Sequence, residues 1–192
     1  MLLLTLLAVV LLFRLGATPI YILDEVKNAQ CAKEMMHNNN LVVPTFNGEL
    51  RTDKPPLHYF FMIVSYKVFG ETEFAARFFS VVMGLLTVFV TFFYTKRHSN
   101  AFHGFCAALV LACSTHFLFE FRLSVPDPYL IFFITLGLFS GFTWLQESKV
   151  VQLYLAAFAL GMATLAKGPV ALALPGLCLL VWVVITKKWK TA

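Results

Sequence analysis

Charge is scarce in this sequence. Asp, Glu, Lys and Arg together make up only 13% of its 192 residues, 59% are hydrophobic, and the mean hydropathy is +0.78. An ordinary soluble domain carries about 25% charged residues, so a water-soluble globular chain is excluded as the leading reading. The cysteines exclude a second class. Cys106, Cys113 and Cys178 lie in apolar runs as small packing residues and Cys31 is alone in a polar stretch, with no CxxC pair, so neither a disulfide framework nor a thiolate metal site is expected. His37, His58, His103 and His116 have no metal-ligand spacing. No glycine-rich loop offers a cradle for a soluble nucleotide-sugar, and no nucleic-acid motif accompanies the net charge of +5. The basic residues stand beside hydrophobic runs, where they set membrane topology.

What is abundant is apolar length. The sequence predicts an all-α, polytopic membrane helix bundle, a single domain over 1–192 with about six transmembrane helices at roughly 2–22, 73–94, 101–121, 128–145, 150–166 and 170–185, each near the ~20 residues that cross a bilayer. The first opens MLLLTLLAVVLLF without a basic leader or cleavage site, and reads as an uncleaved span. Arg14 inside it is expected to snorkel or to face the bundle. Gly137 and Gly141 have the spacing that lets helices approach closely. The stretch LHYFFMIVSYKVF at 57–69 is helical but reaches only ~20 Å, so it is expected in the membrane interface with Gly70 as its C-cap. Six crossings place both ends on one side together with Lys96, Arg97, Lys149, Lys187, Lys188 and Lys190. That side is the cytoplasm by the positive-inside rule.

The opposite side receives an extracytoplasmic loop at 23–72 and two turns, at 122–128 and 167–169, which hold most of the unexplained polar residues. Within the loop, Asp24 is expected to cap a helix reaching about His37, with Val26, Ala29, Ala32 and Met36 on one side, and Asn47-Gly48 is expected to turn. Asp24 and Glu25 are either a helix cap and a first-turn acid, or carboxylates that accept a proton or hold a divalent cation. Lys27 is a solvated lysine or a phosphate contact. Arg51 and Lys54, next to Asp53 and the rigid Pro55-Pro56, form a phosphate clamp or a salt-bridged loop. Glu120, Arg122 and Asp127 stand at the mouth of two spans. An aspartate there is costly unless paired or working, and Arg122 is its expected partner. Lys167 meets either lipid headgroups in general or one lipid phosphate.

In this order the motifs resemble the membrane glycosyltransferases of the GT-C type, family 39, which includes lipid A aminoarabinose transferases and protein O-mannosyltransferases. The resemblance is carried by Asp24-Glu25, the helix through Glu34-Met35, Val42 to Pro44, Asp53-Lys54-Pro55, Pro126-Asp127-Pro128 and Leu165 to Pro169. It implies inverting transfer of a sugar from a polyprenyl-phosphate carrier to a lipid or protein acceptor on the periplasmic face of a bacterial inner membrane. By position, it implies that Asp24 is the principal catalytic acid and Asp127 the second, and Glu25 is a further candidate catalytic acid from its own place beside Asp24. Lys27, Lys54 and Lys167 would contact the donor phosphate; from their own placement Arg51 and Arg122 are further candidate substrate-binding residues, and Asp53 is a candidate metal ligand if a divalent cation is used. Relatives often carry Glu at the position of Asp53, and they continue with further spans, so the chain resembles the amino-terminal half of such an enzyme. A lipid-linked sugar carrier or flippase, or a non-catalytic membrane subunit, is the alternative reading.

Overall fold

A computed structural model describes residues 2–20 and 23–186. The elements run α1 (Leu2–Leu12), α2 (Leu23–His37), β1 (Thr45–Phe46), β2 (Glu49–Leu50), α3 (Leu57–Phe69), α4 (Glu73–His98), α5 (Ala101–Ala112), α6 (Thr115–Glu120), α7 (Asp127–Glu147), α8 (Val150–Lys167) and α9 (Val170–Thr186). Three of them, α4, α7 and α8, are long and apolar enough to cross a membrane. The expected cationic tail at Lys187, Lys188 and Lys190 lies outside the described residues.

The longest helix shows how its ends are set. The Thr72 hydroxyl accepts the Ala75 N–H at 3.2 Å, Glu73 occupies the first turn, and Lys96, Arg97 and His98 fill the last. Acids near a helix N-terminus and bases near its C-terminus both oppose the helix dipole. α7 and α8 then pack as an antiparallel pair. α8 buries Ala156, Ala159, Ala163 and Ala166, and a β-carbon at Gly137 of α7 would lie 2.8 Å from Leu160. The small residues let the two helices approach to this distance.

Two expected spans are not continuous helices. The run expected at 2–22 is helical only to Leu12, about 16 Å, after which Arg14 takes a left-handed φ of 51°. The carbonyls released by this break are bonded by two arginines: Arg122 donates to Phe13 at 2.8 Å, and Arg77 donates to Leu15 at 3.0 Å and Thr18 at 2.8 Å. Hydrophobicity gave no warning, because the partners lie 59 to 109 residues away. The run at 101–121 is likewise divided into α5 and α6, with the Ser114 backbone extended at the start of α6.

The polar loop is a folded unit on one end of the bundle. α2 and α3 match the expected bounds, and Gly70 ends α3 at φ 77° with its N–H on the Tyr66 carbonyl. Between them β1 and β2 pair antiparallel, Thr45 with Leu50 and Phe46 with Glu49. Asn47 and Gly48 turn the hairpin at φ 53° and 80°, the double left-handed geometry of a tight hairpin turn. The buried stripe of α2 is rotated from the expected one. It holds the expected Ala29 and Ala32 together with Glu25, Asn28, Cys31 and Met35, whereas Val26 is exposed. The strongest inward pull comes from a carboxylate, which a hydrophobic pattern does not register.

Candidate active site

The loop hairpin is fastened by Glu34. Its carboxylate accepts from Gln30 at 2.9 Å, the Thr45 hydroxyl at 2.7 Å, and the backbone N–H groups of Asn47 and Gly48 at 2.8 and 3.3 Å. Partial burial would raise its pKa, but these four donors outweigh burial and hold the carboxyl at about 2. The hairpin leads directly to Arg51, which is 7% exposed. Its N–H groups donate to both Asp53 oxygens at 2.8 and 3.4 Å and to the Cys31 sulfur at 3.4 Å. Burial would likewise raise Asp53, and the Arg51 contact more than cancels it, leaving the carboxyl below its ordinary value. This Arg51–Asp53 pair is the salt-bridged loop weighed in the sequence, so Arg51 meets a carboxylate rather than an open phosphate site.

The same pairing bears on the metal assignment. Asp53 directs its carboxylate to Arg51, and no group of three His, Cys, Asp or Glu side chains gathers to hold a metal among the described residues. Lys54 follows on the rigid Pro55-Pro56 entry to α3 and is half-buried without an ion pair among the described residues. His58, one turn further, is fully buried against the Tyr59 ring at 3.9 Å. Burial, helped by the Arg51 and Lys54 charges, pushes its imidazole down to about 3, so the ring is neutral.

Asp24 and Glu25, adjacent in sequence, part company in the fold. Glu25 is 0% exposed. Arg77 of α4 donates Nε and Nη2 to its two oxygens at 2.7 and 2.9 Å, while the Ser124 N–H and hydroxyl reach Oε1 at 2.9 and 3.3 Å. Three of these four contacts fall on Oε1 and one on Oε2, so the carboxylate is held in place by its partners. Glu25 is thus engaged by Arg77 and Ser124, unlike the Asp24 beside which it was expected to act. Asp24 instead lies inside the first turn of α2 rather than before it, exposed and with no hydrogen-bond or ion-pair partner among the described residues. Lys27, one turn on and half-buried, is also unpaired among them.

The clamp reaches the second predicted acid. Asn28 donates to the Ser124 carbonyl at 3.2 Å, so α2 grips both sides of Ser124, three residues before Asp127 opens α7. Asp127 forms an ion pair with Lys167, the last residue of α8. The expected Arg122–Asp127 pair does not form, because Arg122 is turned to the Phe13 carbonyl at the end of α1. There it lines a cleft of about 370 Å³ with Leu15, Thr18 and the Glu25–Arg77 pair. Leu57 and Phe61 of α3 complete the assembly by packing on Tyr129 of α7, the Phe61 and Tyr129 rings 5.2 Å apart.

Asp24, Lys27, Lys54, Asp127 and Lys167 therefore belong to elements fastened together at one end of the bundle. At the other end Arg97 of α4 pairs with Glu147 of α7, which Lys149 also reaches at 2.7 Å. Arg77 and Glu34 were absent from the candidate residues, though each left a trace. Arg77 stands in EFAARFFSVV, an arginine in an apolar helix that must find a partner. Glu34 lies within a matching motif, but its four donors come from a fold that spacing does not reveal.

Comparison with known proteins agrees with this geometry. Residues 53–192 match the sequence profile of the dolichyl-phosphate-mannose-protein mannosyltransferase family. An uncharacterized protein of Aquifex aeolicus is 31% identical over 85% of this chain and 33% of its own length. The undecaprenyl phosphate-alpha-4-amino-4-deoxy-L-arabinose arabinosyl transferase 2 of Pseudomonas fluorescens is 30% identical over 93% of this chain and 34% of its own. The crystal structure of ArnT from Cupriavidus metallidurans bound to undecaprenyl phosphate superposes with a TM-score of 0.91 at 26% identity, covering 98% of this chain and 36% of that one. The chain thus spans about a third of the length of these proteins. The profile match takes in α3 to α9, and with it the ion pair and the clamp's Arg77 and Ser124: the chain belongs to the dolichyl-phosphate-mannose-protein mannosyltransferase family.

Proposed function

We propose that this chain forms the amino-terminal part of a membrane glycosyltransferase that moves a sugar from a polyprenyl-phosphate donor to a lipid, of lipid A type, or to a protein. The observation that carries the reading is the shared end of the bundle. Asp24, a carboxylate unpaired among the described residues, is tied through its neighbour Glu25 to the segment that presents Asp127 and Lys167, in a fold that superposes on an undecaprenyl-phosphate-bound transferase. In the wider topology α1, α4, α5 with α6, α7, α8 and α9 make six crossings of the inner membrane. α3 lies in the interface, and the Asp24 end is periplasmic.

At that border Lys54, Lys27 and Lys167 attract the donor phosphate and offset the charge that grows on it as it departs. The acceptor oxygen attacks the anomeric carbon, the bond from that carbon to the phosphate oxygen breaks, and polyprenyl phosphate leaves. Where the acceptor is a hydroxyl, Asp24 takes its proton. Where it is a phosphate, no base is needed and Asp24 orients the sugar.

The test is transfer of a radiolabelled sugar from its polyprenyl-phosphate carrier by the full polypeptide that contains this segment. Asp24→Asn is expected to lower turnover by at least about 100-fold, the usual reach of a general base, without altering membrane insertion. Unchanged turnover removes Asp24 from the chemistry, and translocation of the carrier without product favours a flippase.

A further inference from the structure

Successive side chains of α2 turn by about 100°, so Val26 and Lys33 emerge on the opposite flank from Asp24, with Gln30 between them and Lys27. There they line a separate cavity of about 250 Å³, completed by Tyr66 of α3 and by Glu71, Thr72 and Glu73 at the entry to α4. Two of its groups make no hydrogen bond or ion pair among the described residues. Tyr66 is only 3% exposed, and its hydroxyl has no hydrogen-bond partner among the described residues. Glu73 likewise has no ion pair or hydrogen bond among them. Lys33 is loosely held: its ammonium lies 3.6 Å from Glu71, whose other oxygen is taken by His37 at 2.6 Å, and 6.0 Å from the centre of the Tyr66 ring.

We infer that this cavity binds an ammonium and a phosphate joined by a short link, the chemistry of an ethanolamine phosphate headgroup. Glu73 and Glu71 meet the ammonium, with the Gln30 carbonyl oxygen as a further acceptor. Lys33 and the Tyr66 hydroxyl meet the phosphate. A simple anion is disfavoured by the two carboxylates. A quaternary ammonium cannot donate to them, and it would need an aromatic cage where Tyr66 is the one lining ring among the described residues. The level fits a lipid, because Glu73 begins a helix long and apolar enough to cross the membrane. The assignment of the outer leaflet alone rests on the proposed topology.

The chain is purified with a mixture of phosphatidylethanolamine, phosphatidylglycerol and phosphatidylcholine, and the retained lipid is read by native mass spectrometry. Phosphatidylethanolamine is expected to be preferred by about tenfold, equivalent to about 1.4 kcal/mol. Glu73→Gln abolishes that preference, Tyr66→Phe weakens it, and Leu86→Ala, on an exposed face of α4, leaves it unchanged. Tyr66→Phe removes one oxygen and keeps the ring, so it decides the matter if Glu73→Gln unfolds. Displacement by free phosphoethanolamine shows that the headgroup suffices; a preference that free phosphoethanolamine does not disturb identifies the intact lipid as the ligand. Equal retention of the three lipids, or a preference that survives in both cavity variants, overturns the inference. Loss of sugar transfer with the lipid preference intact counts against the proposed activity and leaves this site standing.

Discussion

Arg77 holds both carboxylate oxygens of Glu25, at 2.7 and 2.9 Å, from a position 52 residues further along the chain. Both side chains are sealed from water, at 4% and 0% exposure, and the same guanidinium bonds the carbonyls that follow α1. One contact thus joins α1, α2, α4 and the approach to α7. Removing one member of such a pair leaves the other as an uncompensated buried charge. Arg77→Ala or Glu25→Ala is therefore expected to cost about 3 to 5 kcal/mol in reversible unfolding in mixed micelles. Glu25→Met with Arg77→Met restores only part of this, because the Ser124 N–H and the Leu15 and Thr18 carbonyls lose their partners. A loss below about 1 kcal/mol in either single variant, the level of an exposed pair, would show that the clamp is not sealed from water.

The Asp127–Lys167 ion pair yields a prediction of opposite signs. If Lys167 is shared between Asp127 and the donor phosphate, Lys167→Met weakens undecaprenyl phosphate binding by about tenfold, the loss of one charged hydrogen bond. Asp127→Asn frees the ammonium and strengthens binding, even as it lowers transfer. Native mass spectrometry of the lipid-bound chain measures both. Parallel changes in the two variants would show that the pair serves folding alone.

Glu34 makes the loop sensitive to acid in a stated direction. Its folded carboxyl sits at about 2 against an ordinary value of 4.5. Its contribution is therefore fully present above pH 4.5 and is lost as the pH falls toward 2. Amide exchange at Asn47 and Gly48, corrected for the intrinsic rate, is expected to accelerate across that window. In Glu34→Gln it is fast throughout, with no pH step. Equal protection in the two proteins would remove Glu34 as the fastener of the hairpin.

The sequence made the large divisions legible for physical reasons. Apolar length marked α4, α7 and α8, Gly70 marked the end of α3, and Asn47-Gly48 marked the hairpin turn. Proline and charge placement singled out Asp24, Lys54, Asp127 and Lys167. It was silent on pairing. Glu25 looked like Asp24, because two adjacent carboxylates differ only in which way a helix turns them, and Arg122 seemed matched to Asp127 only through proximity in sequence. The break after Leu12 was hidden because distant arginines bond the freed carbonyls, a compensation that local hydropathy does not contain.

The account depends on Asp24 and Lys167 lying at one aqueous border, and cysteine accessibility in intact cells measures that directly. In a chain whose four native cysteines are changed to alanine, Asp24→Cys and Lys167→Cys are both expected to react with a membrane-impermeant maleimide added outside, and Lys149→Cys to react only after permeabilisation. Labelling of positions 24 and 167 from opposite compartments would contradict a common site.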